Sequence, residues 1–157
     1  MIMKLVNAWD KNKANLKDYF KFHEKENFDS YKKILKLMLE LVINPYLDEE
    51  NYNDMYSFNV NNITEIDDGV VGIGTLLYIV PYDVYQPSPD AYIMTYVSYG
   101  SCSGCDTLMG ILSSGDSPLP NDNQIKDLMT LALHMLQHMT FLISQEEYSE
   151  NWRRENL

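Results

Sequence analysis

Between Lys36 and Lys126 the sequence contains no lysine, arginine or histidine. Acidic residues recur through the same stretch, from Glu40 to Asp122. An acidic surface without cations repels the phosphates of nucleic acid and attracts basic proteins. We therefore expect no direct nucleic-acid binding, and we expect the partner to be a basic protein.

Cysteine is scarce and long apolar runs are missing. The two cysteines, Cys102 and Cys105, are too few for a fold held together by several disulfides. No apolar run approaches the roughly 20 residues that a transmembrane helix requires. Residues 1–7 also lack the apolar core and the cleavage site of a signal peptide. We therefore expect a cytoplasmic protein that makes no membrane contact.

The remaining composition indicates one globular domain. The chain has 157 residues, of which 45% are hydrophobic, so it can bury a core of ordinary size. Its net charge of −11 is unevenly distributed. Residues 1–47 carry nine lysines against six acids, a balance of +3, whereas residues 48–157 carry three cations against seventeen acids, a balance of −14. The acidic character therefore belongs to the larger, C-terminal part.

Hydrophobic residues recur at helical spacing near both ends of the chain. The predicted helices cover residues 12–22, 28–43, 106–112 and 124–144. Asn44-Pro45 is expected to end the second helix, because the residue before a proline disfavours helical backbone. Asp122 or Asn123 is expected to cap the last helix. Residues 146–157 are charged and are expected to fray.

The middle of the chain predicts strands. Residues 63–67 and 70–81 flank Asp68-Gly69, a dipeptide that is typical of hairpin turns. Residues 91–99 form a third strand, in which Thr95 and its alternate neighbours face the opposite way from Tyr96.

These elements predict an α+β fold in one domain, residues 1–157. A small antiparallel sheet of about three strands lies within residues 60–100. It packs against helices that precede it and helices that follow it in the chain. The N-terminal helices lie within residues 1–47 and the C-terminal helices within residues 105–145.

Both cysteines lie in one turn after the third strand, in the sequence Gly100, Ser101, Cys102, Ser103, Gly104, Cys105. In one interpretation the turn is structural, with glycines that allow a tight backbone, with Ser101 or Ser103 as cap of the next helix, and with the cysteines packed as small buried hydrophobic residues. In another, the C-x-x-C pair is a redox dithiol whose thiol pKa is lowered by the helix N-terminus. Asp106 beside the pair opposes that ionisation.

Two further interpretations of the cysteine turn require histidines from elsewhere in the chain. His134 and His138 lie one helical turn apart, and with Cys102 and Cys105 they have the ligand types of a tetrahedral zinc site. Helical spacing, however, puts both histidines opposite the apolar stripe of their helix. Residues 100–104 also match a nucleophile elbow that an aspartate and a histidine could complete, but an elbow requires parallel strands. We therefore assign no catalytic residue and expect no cofactor.

The acidic residues that we expect to contact a basic partner form two sets. The first follows the N-terminal helices and comprises Asp48, Glu49, Glu50 and Asp54. The second lies around the predicted strands and comprises Asp67, Asp68, Asp83 and Asp90. The spacing of these residues leaves open whether the two sets share one face.

Three segments resemble a family of small, uncharacterised bacteriophage and prophage proteins: residues 85–88 (YQPS), 96–108 (YVSYGSCSGCDTL) and 124–134 (QIKDLMTLALH). The resemblance extends over residues 63–140 and implies no activity for any of them. It implies a phage product that acts inside a bacterial host cell.

From the acidic charge and this context we expect a non-enzymatic accessory protein that binds and inhibits a basic host protein. The most concrete target is a nucleic-acid-handling or antiviral defence enzyme, as for an anti-CRISPR protein. One alternative is a thiol-based redox or zinc protein that uses Cys102 and Cys105. Another is a virion structural or assembly protein that forms a homo-oligomer.

Overall fold

The computed structural model describes residues 1–50, 55–70, 72–143 and 145–156. It confirms the predicted α+β class, with a four-stranded antiparallel sheet and helices from both ends of the chain. The helices are α1 (Ile2–Phe22), α2 (Tyr31–Met38), α3 (Asn44–Glu50), α4 (Thr107–Leu112), α5 (Asp122–Gln137) and α6 (Gln145–Asn156). The strands are β1 (Thr64–Asp67), β2 (Gly74–Pro81), β3 (Tyr92–Tyr99) and β4 (Thr140–Phe141).

The sheet places each strand beside the next one in the chain, in the order β1-β2-β3-β4. β2 and β3 pair along their whole length. On one face, Tyr78 and Thr95 are buried, whereas Tyr96 on the other face is exposed. The predicted alternation of the third strand is therefore confirmed, and the helices cover the face that carries Thr95.

The first hairpin forms where it is predicted, but its turn lies further along the chain. The predicted Asp68-Gly69 turn is wrong, because the N–H of Asp68 donates to the carbonyl of Thr75 (3.2 Å) and continues the ladder. A bridge between Val70 and Ile73 closes the actual reversal. Gly72 has a φ of 79°, which glycine adopts without the penalty of a Cβ.

The last predicted helix, residues 124–144, is too long at its C-terminal end. α5 ends at Gln137, and the chain then adds β4 beside the edge of β3. The N–H of Leu142 donates to the carbonyl of Tyr92 (3.0 Å). Threonine and phenylalanine suit a strand, and their pairing shortens the open edge of β3.

α5 also starts two residues earlier than predicted, at Asp122 instead of residue 124. Asn121, not Asp122 or Asn123, is the N-cap, because its side chain accepts a hydrogen bond from the N–H of Gln124 (2.8 Å). The Gln124 side chain accepts in return from the N–H of Asn121 (2.8 Å). This reciprocal pair is a capping box, which satisfies two backbone donors at once.

The predicted helix stop at Asn44-Pro45 is wrong. α2 continues through a π-helical turn, Leu39–Ile43, directly into α3. Proline has no N–H, so the carbonyl of Leu41, four residues earlier, lacks its helical donor. The Asn15 side chain donates to this carbonyl (3.1 Å), and Asn12 donates to the following one (3.0 Å). Two side chains of α1 thus donate to carbonyls of the π-helical turn, and one of these is the carbonyl that Pro45 leaves without a donor.

Both ends of the chain contain more helix than predicted. α1 begins at Ile2 instead of residue 12, and it buries Leu5, Ala8 and Trp9 on one face. The residues expected to fray form α6, whose glutamates and arginines are good helix formers. None of the helices in the described part of the chain has the length and apolar character to cross a membrane.

The core lies between the inner face of the sheet and the helices α1, α2 and α5. The fully buried side chains that these elements contribute include Leu16, Phe20, Ile34, Met38, Leu128, Leu136, Tyr78 and Ile93. One polar bond crosses this core, from the Thr95 hydroxyl to the carbonyl of Met135 (2.6 Å). Met135 is in the last turn of α5, where carbonyls lack helical donors, so Thr95 fixes the end of α5 to the sheet.

Replacing Thr95 by valine tests this attachment. Thr95→Val keeps the shape of a side chain that is 1% exposed but leaves the Met135 carbonyl without a donor. We expect the free energy of unfolding to fall by about 1–3 kcal/mol. Thr140→Val, at an exposed position of the same sheet, should change it by less than about 0.5 kcal/mol. Urea denaturation of both variants measures the difference, and equal losses would contradict the role of Thr95.

Candidate functional site

A cavity of about 580 Å³ opens where β1, β2 and β3 meet the start of α2 and the loop before α4. Leu76, Leu108 and Leu112 give it an apolar lining. Its polar lining includes three serines together with three tyrosine hydroxyls and four carboxylates, which come from Tyr31, Tyr78, Tyr99, Asp29, Glu65, Asp67 and Asp106. We call it the tyrosine–carboxylate cleft, because three of the carboxylates each accept a hydrogen bond from one of the tyrosines.

Asp106 is the buried carboxylate of the cleft, with 6% of its surface exposed. It accepts hydrogen bonds from the Tyr31 hydroxyl (3.0 Å), the Gly100 N–H (2.9 Å) and the Met109 N–H (2.8 Å). The bond from Met109 makes Asp106 the N-cap of α4, so the expected cap by Ser101 or Ser103 is wrong.

The other two pairs come from the strands. Tyr78 donates to Glu65 (2.7 Å) and Tyr99 donates to Asp67 (2.6 Å). Glu65 lies directly opposite Tyr78 in the β1–β2 register, so both side chains point to the same face of the sheet. Tyr78 is buried, whereas Glu65 and Asp67 are exposed at the rim.

The hydrogen bonds and burial of the cleft keep its phenols neutral and keep Asp67 charged. Burial raises the pKa of Tyr31 to about 12, and the hydrogen bond to Asp67 raises the pKa of Tyr99 to about 12. Burial, and then the hydrogen bond to Glu65, raise the pKa of Tyr78 as well. The hydrogen bond from Tyr99 lowers the pKa of Asp67. At neutral pH the three hydroxyls are therefore donors, and the acceptor at Asp67 is an anion.

This arrangement suits a cation with an apolar stem. The cleft lining within the described residues contains no lysine, arginine or histidine, and of its four carboxylates only Asp29 is in an ion pair, with Lys33 (2.8 Å). Tyrosine rings attract cations, and carboxylates accept strong hydrogen bonds from ammonium and guanidinium groups.

The structure does not bring the second acidic set together. Asp67 is at the cleft, and the neighbouring Asp68 accepts a hydrogen bond from the N–H of Thr75 (2.7 Å). Asp83 and Asp90 lie in the loop that joins β2 to β3, at the other end of β2 from Asp67 and Asp68. The eight residues of β2 separate the two pairs by about 23 Å, since a strand rises about 3.3 Å per residue.

The first acidic set lies at the end of α3 and after it. Asp48 is exposed, and Glu49 forms an ion pair with Lys11 of α1 (2.6 Å). The side chain of Glu50 and the whole of Asp54 lie outside the described residues. Part of the charge of this set is therefore neutralised within the chain.

The cysteine turn lies beside the cleft. Residues 101–105 are exposed, and Cys102 is joined to Cys105 as a disulfide with Cα atoms 5.3 Å apart. The N–H groups of Cys105 and Asp106 both donate to the Cys102 carbonyl (3.1 and 2.8 Å). A Cβ on Gly100 would lie 2.5 Å from the Cys105 carbonyl oxygen, which explains the glycine. The expectation of buried cysteines is wrong, because both are exposed.

The histidines are placed away from this turn. His134 and His138 are exposed, as the helical spacing predicts, and the His138 ring stacks on Tyr96 at 4.4 Å between centroids. Within the described residues, no three His, Cys, Asp or Glu side chains are positioned to hold a metal ion. The zinc quartet is therefore not assembled, and the antiparallel sheet does not provide the parallel strands of a nucleophile elbow.

Sequence reasoning missed most of the cleft. The prediction from sequence included none of its tyrosines, and it considered Asp106 only as a neighbour of the cysteines. Glu65 and Asp67 are two residues apart in a predicted strand, so the sequence already indicates that their side chains lie on the same face. The pairing of Tyr31 with Asp106 spans 75 residues and leaves no local signal.

Replacing Tyr31 by phenylalanine tests the central pair of the cleft. Tyr31→Phe removes a donor from buried Asp106 and an acceptor from the Leu108 N–H, so we expect a loss of about 1–3 kcal/mol in the free energy of unfolding. Tyr85→Phe, at a side chain that is 91% exposed, is the control.

The pH dependence of stability gives a second test of the Tyr31–Asp106 pair. Because the Tyr31 pKa is about 12 when folded and 10.0 when unfolded, wild-type stability should fall as the pH rises from 10 to 12.

A shallower decline in Tyr31→Phe over that range, measured by urea denaturation at each pH, would support this assignment. An identical slope in the two proteins would contradict it, because the raised pKa would then belong to another group.

Comparison with known proteins assigns no family. No protein-family model matches the chain, and no solved structure matches it. The chain is similar to collagenase ColT of Clostridium tetani (strain Massachusetts / E88), with 29% identity over 83 residues. The aligned part is 53% of this chain but 8% of the collagenase, so the chain spans a small fraction of that protein's length.

Proposed function

We propose that this protein binds a basic segment of a partner protein in the tyrosine–carboxylate cleft. The observation that carries the proposal is the set of three tyrosine–carboxylate pairs around one cavity whose described lining has no cation. The cleft would take a lysine or arginine side chain, with its alkyl stem against the leucines and its charge near the exposed carboxylates of Glu65 and Asp67.

Both rim carboxylates keep acceptor capacity for such a cation. An ionised carboxylate has about four lone-pair sites. Tyr78 occupies one on Glu65, and Tyr99 and the Gly69 N–H occupy two on Asp67. The hydroxyl bonds also hold each carboxylate in place, so a bound cation does not have to order it.

The partner class follows from the charge and from the phage resemblance. We propose a phage-encoded accessory protein that acts inside a bacterial cell by occupying the basic, nucleic-acid-binding surface of a host enzyme. A defence nuclease is the most concrete target, because its cationic channel complements a chain with a net charge of −11. A virion structural or assembly role would instead require binding to other phage proteins.

Neutralising the rim without changing its shape tests the cleft. Glu65→Gln with Asp67→Asn keeps the oxygen atoms that Tyr78 and Tyr99 bind. We expect the affinity for a fluorescein-labelled arginine-rich peptide, measured by fluorescence anisotropy, to fall at least about tenfold, or about 1.4 kcal/mol. Asp83→Asn with Asp90→Asn removes the same charge at the other end of β2 and should have a smaller effect.

An equal loss in the two double variants would contradict the cleft and leave only general electrostatic attraction. The host-protein part is tested by affinity capture from bacterial lysate with the wild type and the rim variant. Proteins that only the wild type retains should be basic and should be released by added DNA. Capture of phage structural proteins instead would favour the assembly role.

A second candidate function is thiol–disulfide exchange at Cys102 and Cys105. The supporting observation is that both residues are exposed and their sulfur atoms are bonded to each other. In the reduced form, one thiolate would attack a disulfide of another molecule. The second thiolate would then attack the sulfur of the first cysteine and displace the bound half of the substrate. The Cys102–Cys105 disulfide forms, two electrons pass to the substrate, and the substrate leaves as two thiols.

This candidate predicts catalysis that depends on both cysteines. We expect the wild type to accelerate the reduction of a small disulfide reporter by glutathione, and Cys102→Ser and Cys105→Ser each to abolish the acceleration. The hydrogen bonds of Asp106 hold the turn without the disulfide, so both variants should remain folded by circular dichroism. A wild-type rate equal to that of glutathione alone would remove this candidate.

A further inference from the structure

A second recess, of about 980 Å³, lies on the helical side of the molecule between α1 and α5. Its apolar lining is formed by Trp9, Ile125, Met129 and Leu133. Four lysines line the same recess: Lys13, Lys17 and Lys21 of α1 and Lys126 of α5. We call it the lysine groove. It concentrates a third of the twelve cations of an otherwise acidic chain.

The lysine groove is basic in balance. Its four lysines stand against two aspartates, Asp18 and Asp122, which leaves a formal charge of +2. Within the described residues, the side-chain ammonium groups of Lys13, Lys17 and Lys126 are in no ion pair or hydrogen bond. Lysines at positions i and i+4 of one helix repel each other. The groove therefore offers unneutralised positive charge around an apolar floor, which fits an acidic amphipathic segment.

The helix α6 has the complementary character. It contains four glutamates and two arginines, a formal charge of −2. Glu150 and Glu155 are exposed, and Trp152 is 56% exposed. The protein's other tryptophan, Trp9, is 8% exposed at the base of the lysine groove. A tryptophan exposed on an acidic helix has the features of an interface anchor, because tryptophan is among the residues that dominate binding energy.

We propose that α6 of one copy of this chain binds in the lysine groove of a second copy. α6 and the stretch of α5 that lines the groove, from Asp122 to Leu133, each contain twelve residues and are each about 18 Å long. Charges of +2 and −2 would meet there, whereas most other contacts between two copies would oppose like charges. Nucleic acid is disfavoured as the occupant by the apolar floor and by the acidity of the rest of the chain.

The contact joins two different surfaces, so it is heterologous. It can close as a reciprocal pair, in which each copy inserts α6 into the other, or extend from copy to copy. No residue of the tyrosine–carboxylate cleft lines the lysine groove. Self-association is therefore independent of the function proposed for the cleft, and either proposal can fail alone.

Sedimentation velocity over a wide range of concentrations tests the proposal on the full chain. The wild type should self-associate reversibly, and Trp152→Ala and Lys13→Glu with Lys17→Glu should each weaken association at least about tenfold. Lys32→Glu with Lys36→Glu makes the same charge change on α2, also at positions i and i+4, and should leave association within about twofold. Thermal unfolding by circular dichroism checks that each variant is folded.

A charge swap distinguishes direct contact from an indirect effect. The double variant Glu150→Lys with Glu155→Lys, made by itself, should weaken association. When it is combined with Lys13→Glu and Lys17→Glu, association should be restored. A wild type that is monomeric at every concentration would overturn the proposal, as would association that the groove variant does not weaken. Binding of single-stranded DNA that the groove variant abolishes, without self-association, would assign the groove to nucleic acid instead.

Discussion

Three hydrogen bonds to the buried carboxylate of Asp106 join parts of the chain that are far apart in sequence. Tyr31 comes from the first residue of α2, Gly100 follows β3, and Met109 lies in α4. A buried carboxylate is costly unless its oxygens are satisfied, so these partners must come together when the chain folds. The cleft, the cysteine turn and the start of α4 all take their positions from this one group.

The parts that sequence reasoning predicted are those with local signals. The alternation around Thr95 gave the correct faces of β3, and helical spacing correctly put His134 and His138 on the exposed side of α5. Asp106 shows why the rest could not be predicted. Its role depends on a tyrosine 75 residues earlier, and neither residue alone differs from an ordinary N-cap or an ordinary core tyrosine.

The junction of α2 and α3 shows a local rule that tertiary contacts override. Proline normally ends a helix because one carbonyl loses its donor and the preceding residue is restricted. Here Asn12 and Asn15 supply donors from α1, and the π-helical turn accommodates the backbone. Both asparagines lie about 30 residues before Pro45, in a segment where the sequence shows only a polar helix. Their function is visible only once α1 packs on this junction.

The uneven charge of the sequence becomes two recesses of opposite sign. Three of the four lysines in the groove beside α5 come from the N-terminal part, whereas three of the four carboxylates in the tyrosine–carboxylate cleft come from the C-terminal part. Because the two recesses share no residue, a segment bound in the lysine groove does not itself occupy the cleft. An oligomer would then present one cleft per copy. A basic surface that spans several clefts would bind more tightly than a single cleft allows, since the later contacts become intramolecular.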